Sequence, residues 1–327
     1  MKTLVTGATG FIGSAVVRKL LASGREVRAL VEPGASLHTL DGLDVEVVRG
    51  DVCDRDTVDR AFRGVRFLYH LAAIYKIWTP DHRRMYEVNV EGTKNVLFAA
   101  MRSQVDRVVH TSSIAAVGLP ESGQLADETT LFNYWKDADH YIRSKWLSER
   151  DALRFAGEGV PVIVVNPAFV FGVGDAAPTP TGSLILEALR GRVPGYPGGG
   201  FNAVDVEDVA EAHVLAEAKG RVGERYIAGN HNVTYRQFYE EVAAVADLRP
   251  ITRKLPGPLV QSMAWAMESA ARFTQRPPRI TRKAAWYAAR RVWFDTGKAH
   301  AELGMPTTPL RQTIARAVEW FRDHGYV

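Results

Sequence analysis

Thr6-Gly7-Ala8-Thr9-Gly10-Phe11-Ile12-Gly13 is the stretch on which the reading of this chain turns. Lys2 to Thr6, just before it, reads as a strand, and Phe11 to Ser23, just after it, as a helix closed by Gly24. A glycine pattern alone is a weak signal; a strand before it and a helix after it supply the context that a phosphate-binding turn requires. Glycines permit a tight turn and close backbone approach. The free N–H groups of the following helix present partial positive charge to a pyrophosphate. Gly7, Thr9, Gly10, Phe11 and Ile12 are therefore expected to hold a dinucleotide.

Outward from this turn the alternation continues. Glu26 to Val31, Asp44 to Val48, Arg66 to Leu71, Asp106 to Ser113 and Val160 to Asn166 read as strands, with His82 to Ser103 and Asp137 to Ala156 as helices. Such alternation predicts a parallel sheet covered on both faces, and the unbroken apolar run from Val160 fits a doubly covered strand. The expected fold class is α/β: a Rossmann-type doubly wound parallel sheet with a smaller, mostly helical C-terminal substrate lobe. Residues 172–200, rich in Gly, Pro and Thr, predict a mobile loop region around one helix, Leu184 to Arg190. Val204 to Lys219 reads as a helix and Glu224 to Ala228 as a further strand. Thr234 with Gln237 predicts a capping box opening a helix from Tyr235 to Ala246. The remainder reads as mostly helical, broken at Pro256, Pro277-Pro278 and Pro306. The expected division is a dinucleotide-binding domain over 1–167, to which 203–232 returns, and a substrate lobe over 168–202 and 233–327.

Tyr141 and Lys145 are spaced i, i+4 in a predicted helix, so phenol and ammonium can approach one point. A free tyrosine titrates near pH 10, and a lysine charge beside it should lower that value toward useful acid–base chemistry. A third partner should come from the carboxyl end of the fifth strand, where ligands of such sheets lie; Ser112 and Ser113 both stand there. His70 and His110 fall inside strand patterns and His213 on a helix, so all three read as packed residues. No spacing suits zinc, and no metal is expected.

Several short motifs follow in a fixed order: Thr-Gly-x-x-Gly-x-x-Gly, Gly50-Asp51-Val52, His70-Leu71-Ala72-Ala73, Asn89-Val90-Glu91-Gly92-Thr93, Tyr141-x-x-x-Lys145 and Asn166-Pro167-Ala168-Phe169-Val170. The chain thereby resembles the extended short-chain dehydrogenase/reductases, the NAD-dependent epimerase/dehydratase family. Ala126-Asp-Glu-Thr-Thr130, Pro178-Thr-Pro-Thr-Gly182, Asp205-Val-Glu-Asp-Val-Ala210 and Trp320-Phe-Arg-Asp-His-Gly-Tyr326 make nearly the whole chain similar to the bacterial dihydroflavonol 4-reductase-like branch. Within it, the hopanoid-associated sugar epimerases are particularly similar. The resemblance implies that Ser113 completes the catalytic set with Tyr141 and Lys145. It implies that Asp51 faces the adenine with Val52 beside it, and that Ala72 and Ala73 pass under the cofactor. Asn89 matches the family's Asn in the next helix, and Pro167, Ala168 and Val170 border the nicotinamide. For Asp51, a plain helix cap is an equally good reading.

Glu32 occupies the place where the NADP-dependent reductases carry Arg, and Val31 the place where NAD-preferring epimerases carry Asp. A carboxylate there repels a 2′-phosphate, so NAD(H) is expected ahead of NADP(H). Two departures bear on substrate. Gly118 replaces the flavonoid-contacting Asn of the plant enzymes, and Gly200-Phe201-Asn202 replaces a segment in which many nucleotide-sugar epimerases carry Arg. Net hydride transfer between a nicotinamide and a carbonyl or secondary alcohol is the expected reaction. A sugar epimerase that recycles NAD is the alternative, and a non-catalytic dinucleotide sensor the third reading, disfavoured by the intact acid–base set. Tyr75, Trp78, Tyr134, Trp135, Phe169 and Phe171 are candidate walls for a small-molecule carbonyl or sugar.

Composition agrees with a globular enzyme: 327 residues, 46% hydrophobic, 24% charged, net charge +4. The mild positive charge fits an anionic ligand, and no nucleic-acid partner is expected. The single cysteine, Cys53, excludes an intrachain disulfide and a thiolate cluster. No signal-peptide pattern and no run of about 18 apolar residues stand in the sequence, so a cytoplasmic protein is expected. A homodimer is compatible with these features. From Arg272 to Arg291 the chain carries Arg272, Arg276, Arg279, Arg282, Lys283, Arg290 and Arg291 without an acid. Leu259, Val260, Met263, Met267 and Ala270 precede it as an apolar helical face. A solvated surface is the common meaning of such a run; a weak membrane contact or a phosphorylated substrate are the other readings.

Overall fold

The computed structural model describes residues 1–79, 81–120, 124–274, 277–278 and 280–327. Arg276, Arg279 and the side chain of Arg272, all in the basic run, lie outside the described part. The first half runs β1 (Lys2–Thr6), α1 (Phe11–Ala22), β2 (Glu26–Val31), β3 (Val45–Arg49), α2 (Arg55–Ala61) and β4 (Val65–His70). Gly24, at φ +76°, ends α1 where a side chain would be strained. Asp54 caps the short helix α2 by accepting from Asp56 N–H at 3.0 Å. That helix was not foreseen, and the capping carboxylate is Asp54 rather than Asp51.

The long helix expected after β4 is interrupted. α3 (Arg83–Tyr86) passes into a π-helical turn, Glu87–Gly92, and then α4 (Thr93–Arg102). β5 (Arg107–Thr111), α5 (His140–Gly157) and β6 (Val162–Pro167) follow. After β7 (Phe169–Phe171), α6 (Gly182–Leu189), β8 (Gly200–Asp205) and α7 (Val206–Lys219), the chain re-enters the main sheet as β9 (Arg225–Ala228). The main sheet is all parallel, in the order β3-β2-β1-β4-β5-β6-β9. α1 and α7 cover one face over Val5, Val109 and Ile163; α2, α4 and α5 cover the other over Leu4, Val108 and Val162. Strand order reverses between β1 and β4, which opens a crevice at their carboxyl ends.

The rest of the chain is β10 (His231–Thr234), α8 (Tyr235–Ala246), α9 (Gly257–Thr274), α10 (Arg282–Ala288), β11 (Arg291–Val292) and α11 (Leu310–Asp323). The capping box at Thr234 and Gln237 is formed. The lobe differs from the helical expectation in one respect: it has a small sheet of its own. β8 is its centre, paired antiparallel with β10 and parallel with β7 and β11. Val204 and Asp205, expected in a helix, finish β8, and Asp205 then caps α7 by accepting from Glu207 N–H at 2.8 Å. Residues 203 and 232 thus fall within strands β8 and β10 of this second sheet. Phe171, Phe201 and Phe238 pack between it and α6, α8 and α11.

Candidate active site

A cleft of about 570 Å³ lies over the carboxyl ends of the central strands. Gly7, Thr9, Gly10, Phe11 and Ile12 line it, as do Ala73, Ser112, Ser113, Tyr141, Lys145, Pro167, Ala168 and Val170. Gly7 has φ +69°, and a Cβ there would sit 2.6 Å from Ala72 N. A Cβ on Gly13 would sit 2.0 Å from Gly7 O. The turn is therefore packed backbone to backbone, with no room for side chains. Gly10, the N-cap of α1, provides no side-chain cap, so the first N–H groups of the helix remain available to an anion. These features fit the pyrophosphate of a dinucleotide.

α5 brings Tyr141 and Lys145 to the cleft, and Asp139 caps that helix through Ile142 N–H at 2.8 Å. Ser113 and Tyr141 stand together in the cleft lining. Burial pushes the phenol up to about 12, opposed by the nearby Ser113 side chain. The expected lowering by lysine does not prevail here. Lys145 donates to Thr111 O at 2.6 Å, and burial pushes its ammonium down to about 8, opposed by Glu149 one turn along. Glu149 is fixed in turn by Arg225 at 2.8 Å and by the side-chain amide of Asn166. Asn166 also donates to Ser113 O at 2.9 Å, which ties the end of β6 to the serine. Ser112, the other candidate, is buried with its hydroxyl unpartnered among the described residues.

Five of the sequence-selected residues lie beside the cleft rather than in its lining. Asn89 accepts from Ile74 N–H at 2.7 Å and donates to Ile74 O and Ser144 Oγ, bracing the π-helical turn against α5. Val52 packs on Gly92, where a Cβ would come within 2.6 Å of it. Ala72 donates its N–H to Thr6 Oγ1. Asp51 accepts from Cys53 N–H at 2.9 Å and from Arg84, and Arg84 also meets Glu32 at 3.2 Å. Burial would raise the Asp51 carboxyl, but these two donors hold it below its ordinary value. Sequence reasoning missed Arg84, because nothing local marks a residue that bridges two carboxylates at the ends of the neighbouring strands β2 and β3.

The aromatic candidates divide. Tyr75 packs on Tyr141 with ring centres 4.6 Å apart. Phe169 stacks on Phe201 at 4.6 Å and faces Tyr287 at 6.4 Å, and Tyr287 also neighbours the buried Tyr134. Phe171 is wholly inside the lobe core, while Trp78 and Trp135 border two other grooves. Tyr287 was not foreseen, since only the fold packs α10 with Tyr134 and Tyr141. Gly118 cannot be enlarged: a Cβ would lie 1.9 Å from Leu131 O. His70, held by Thr6 and Thr93, is pushed down to about 3 by burial, and His213, held by Thr111 and Val209, to about 4. His110 is driven well down by the same cause. They are neutral packing residues, and no cluster among the described residues could hold a metal.

A glycine turn heading a doubly wound parallel sheet, with a Tyr–Lys pair facing it across the cleft, defines an extended short-chain dehydrogenase/reductase. The chain belongs to the NAD dependent epimerase/dehydratase family, whose profile matches residues 3–229. It is 37% identical to the protein named "Putative dihydroflavonol 4-reductase" of Synechocystis sp., over 99% of this chain and 95% of that one. It is 36% identical to the sterol demethylase protein B of Methylococcus capsulatus, over the full length of both. Among solved structures, the UDP-glucose 4-epimerase of Thermus thermophilus in complex with NAD superposes with a TM-score of 0.78. That enzyme is 26% identical, over 98% of this chain and 99% of its own.

Proposed function

We infer that the protein is an NAD(H)-dependent carbonyl reductase or secondary-alcohol dehydrogenase acting on an apolar, ring-bearing small molecule. The observation that carries this reading is the meeting of Tyr141, Ser113 and Lys145 at a cleft that also holds the glycine turn. When bound, NAD(H) supplies or accepts the hydride at the carbinol carbon. The chain does the rest. The β1–α1 turn fixes the pyrophosphate, Ser113 holds the substrate oxygen, and Tyr141 gives or takes its proton. Lys145 keeps a positive charge beneath the site while anchored to Thr111 O.

The aromatic residues favour net oxidation or reduction over epimerisation of a nucleotide sugar. The segment in which many epimerases carry Arg holds Phe201 here, buried against Phe169 and Phe238. It offers no cation to a diphosphate. The two relatives named for a dihydroflavonol and a sterol point the same way. Glu32 supports a preference for NADH over NADPH, although its charge is shared with Arg84. The test is incubation with aryl ketones, aldehydes and nucleotide sugars. Oxidation of NADH by a ketone, faster than of NADPH, is the expected result. Inverted sugar without net cofactor consumption would replace this reading with the epimerase.

A further inference from the structure

α9 inverts the usual rule for a surface helix. Its inner side carries the buried Ala264 and Ala271, with Val260 and Met267 part-buried. Its outer face, at spacings of four and three, is Leu259, Met263, Ala266, Ala270 and Phe273, every one exposed. Leu259 is 44% exposed, Met263 38% and Phe273 89%, and the neighbouring Trp265 is 59% exposed. An outward face of a water-bathed helix ordinarily carries charge. This helix has only two charged residues in its sequence, Glu268 and Arg272, and Glu268 is taken up in accepting from Arg282 N–H at 2.9 Å.

The sequence flanking the helix is strongly basic. Between residues 248 and 294 the sequence holds ten lysines and arginines against one acid, Glu268, while the whole chain nets only +4, so the remainder is net acidic. Arg249, Arg253, Lys254, Arg282, Arg290 and Arg291 of this stretch are exposed. An exposed apolar helix face flanked in sequence by exposed Lys and Arg is complementary to an anionic lipid surface, which offers headgroup phosphates above and acyl chains below. A second copy of this chain would bring its own positive charge to the same place.

The helix also lies near the element that carries the active-site tyrosine. α9 packs on α10, which carries Tyr287, the residue facing Phe169. A groove lined by Ile77, Trp78, Glu268 and Lys283 runs from these helices to Asp139 and His140 at the start of α5, directly before Tyr141. We propose that α9 is an interfacial helix that seats the protein on anionic membranes, so that its substrate is an apolar carbonyl or alcohol dissolved in the bilayer. The substrate half of this statement rests on the reductase reading above; the seating itself does not.

The experiment is flotation of the purified full-length protein with vesicles of phosphatidylcholine alone and of phosphatidylcholine with about one-third phosphatidylglycerol. Binding to the anionic vesicles, weakened by salt, is expected. Trp265→Asp with Phe273→Asp should lower the bound fraction about tenfold or more. A milder pair, Leu259→Ser with Met263→Ser, should lower it in the same direction. Both variants should keep the wild-type melting temperature and wild-type turnover of a water-soluble ketone. Absence of wild-type binding to anionic vesicles, or equal binding by both variants, overturns the proposal. A dimer in sedimentation that the variants convert to monomer would also overturn it, since the occupant of the face would then be a second copy. Failure of ketone turnover by the wild type would count against the reductase reading and leave the flotation result standing.

Discussion

Tyr141 and Lys145 were legible as single residues because their relation is local: four positions along one helix place both groups on one face. What tunes them was not legible. Thr111, Glu149, Asn166 and Arg225 come from four separate elements, and only the fold makes them neighbours. That arrangement sets a pH dependence. Lys145 is charged below its pKa of about 8 and neutral above it, whereas the phenol, pushed up to about 12, stays a proton donor throughout. For carbonyl reduction, kcat/KM should therefore hold below pH 8 and fall as pH rises through it. Glu149 raises the Lys145 value, so Glu149→Gln should move the fall to lower pH. A wild-type reduction profile flat to pH 10 would show that the lysine charge is not required.

At the scale of elements, long and strongly patterned pieces were readable. β1 and β2 have the bounds read from the sequence, and the capping box opens α8 as predicted. The second sheet was hidden for a physical reason. β7, β10 and β11 span only three, four and two residues, too short to show an alternation. β8 is buried along its whole length, and without alternation its last residues merged with the helical pattern of α7. The π-helical turn has no sequence signature either; it accompanies the inward hydrogen bonding of Asn89. The β1–α1 turn, by contrast, carries its geometry in its glycines. Gly13→Ala must push a methyl into Gly7 O, 2.0 Å away and part of the backbone. We expect a stability loss of about 1–3 kcal/mol, with NADH binding weakened more than ketone binding. Unchanged cofactor titration and melting curves would show that the turn relaxes freely.

Across the whole molecule, the chain end returns to the site. Tyr326 donates its hydroxyl to Ala176 O at 2.6 Å, and Arg190 donates to Tyr326 O at 2.9 Å. Ala176 belongs to the stretch from Gly174 to Thr181 that walls the cleft. No sequence pattern links positions 150 residues apart. The similarity of the last turn to the family's reductase branch gains a structural reason here, because that turn braces the cofactor cleft. Tyr326→Phe removes one hydrogen bond, a change of about 1 kcal/mol, and should raise the KM for NADH a few-fold while kcat stays put. An unchanged KM would mean that the loop keeps its place without the tail.

The account rests on Tyr141 as the acid–base group of a nicotinamide enzyme. Its most direct test is Tyr141→Phe, assayed with NADH and the best ketone of the panel, with NADH affinity measured in parallel by fluorescence titration. The phenyl ring keeps the packing against Tyr75 and removes only the hydroxyl. We predict NADH affinity within about twofold of wild type and turnover reduced by about 10² to 10⁴. A variant that retains more than half of the wild-type turnover would contradict the assignment.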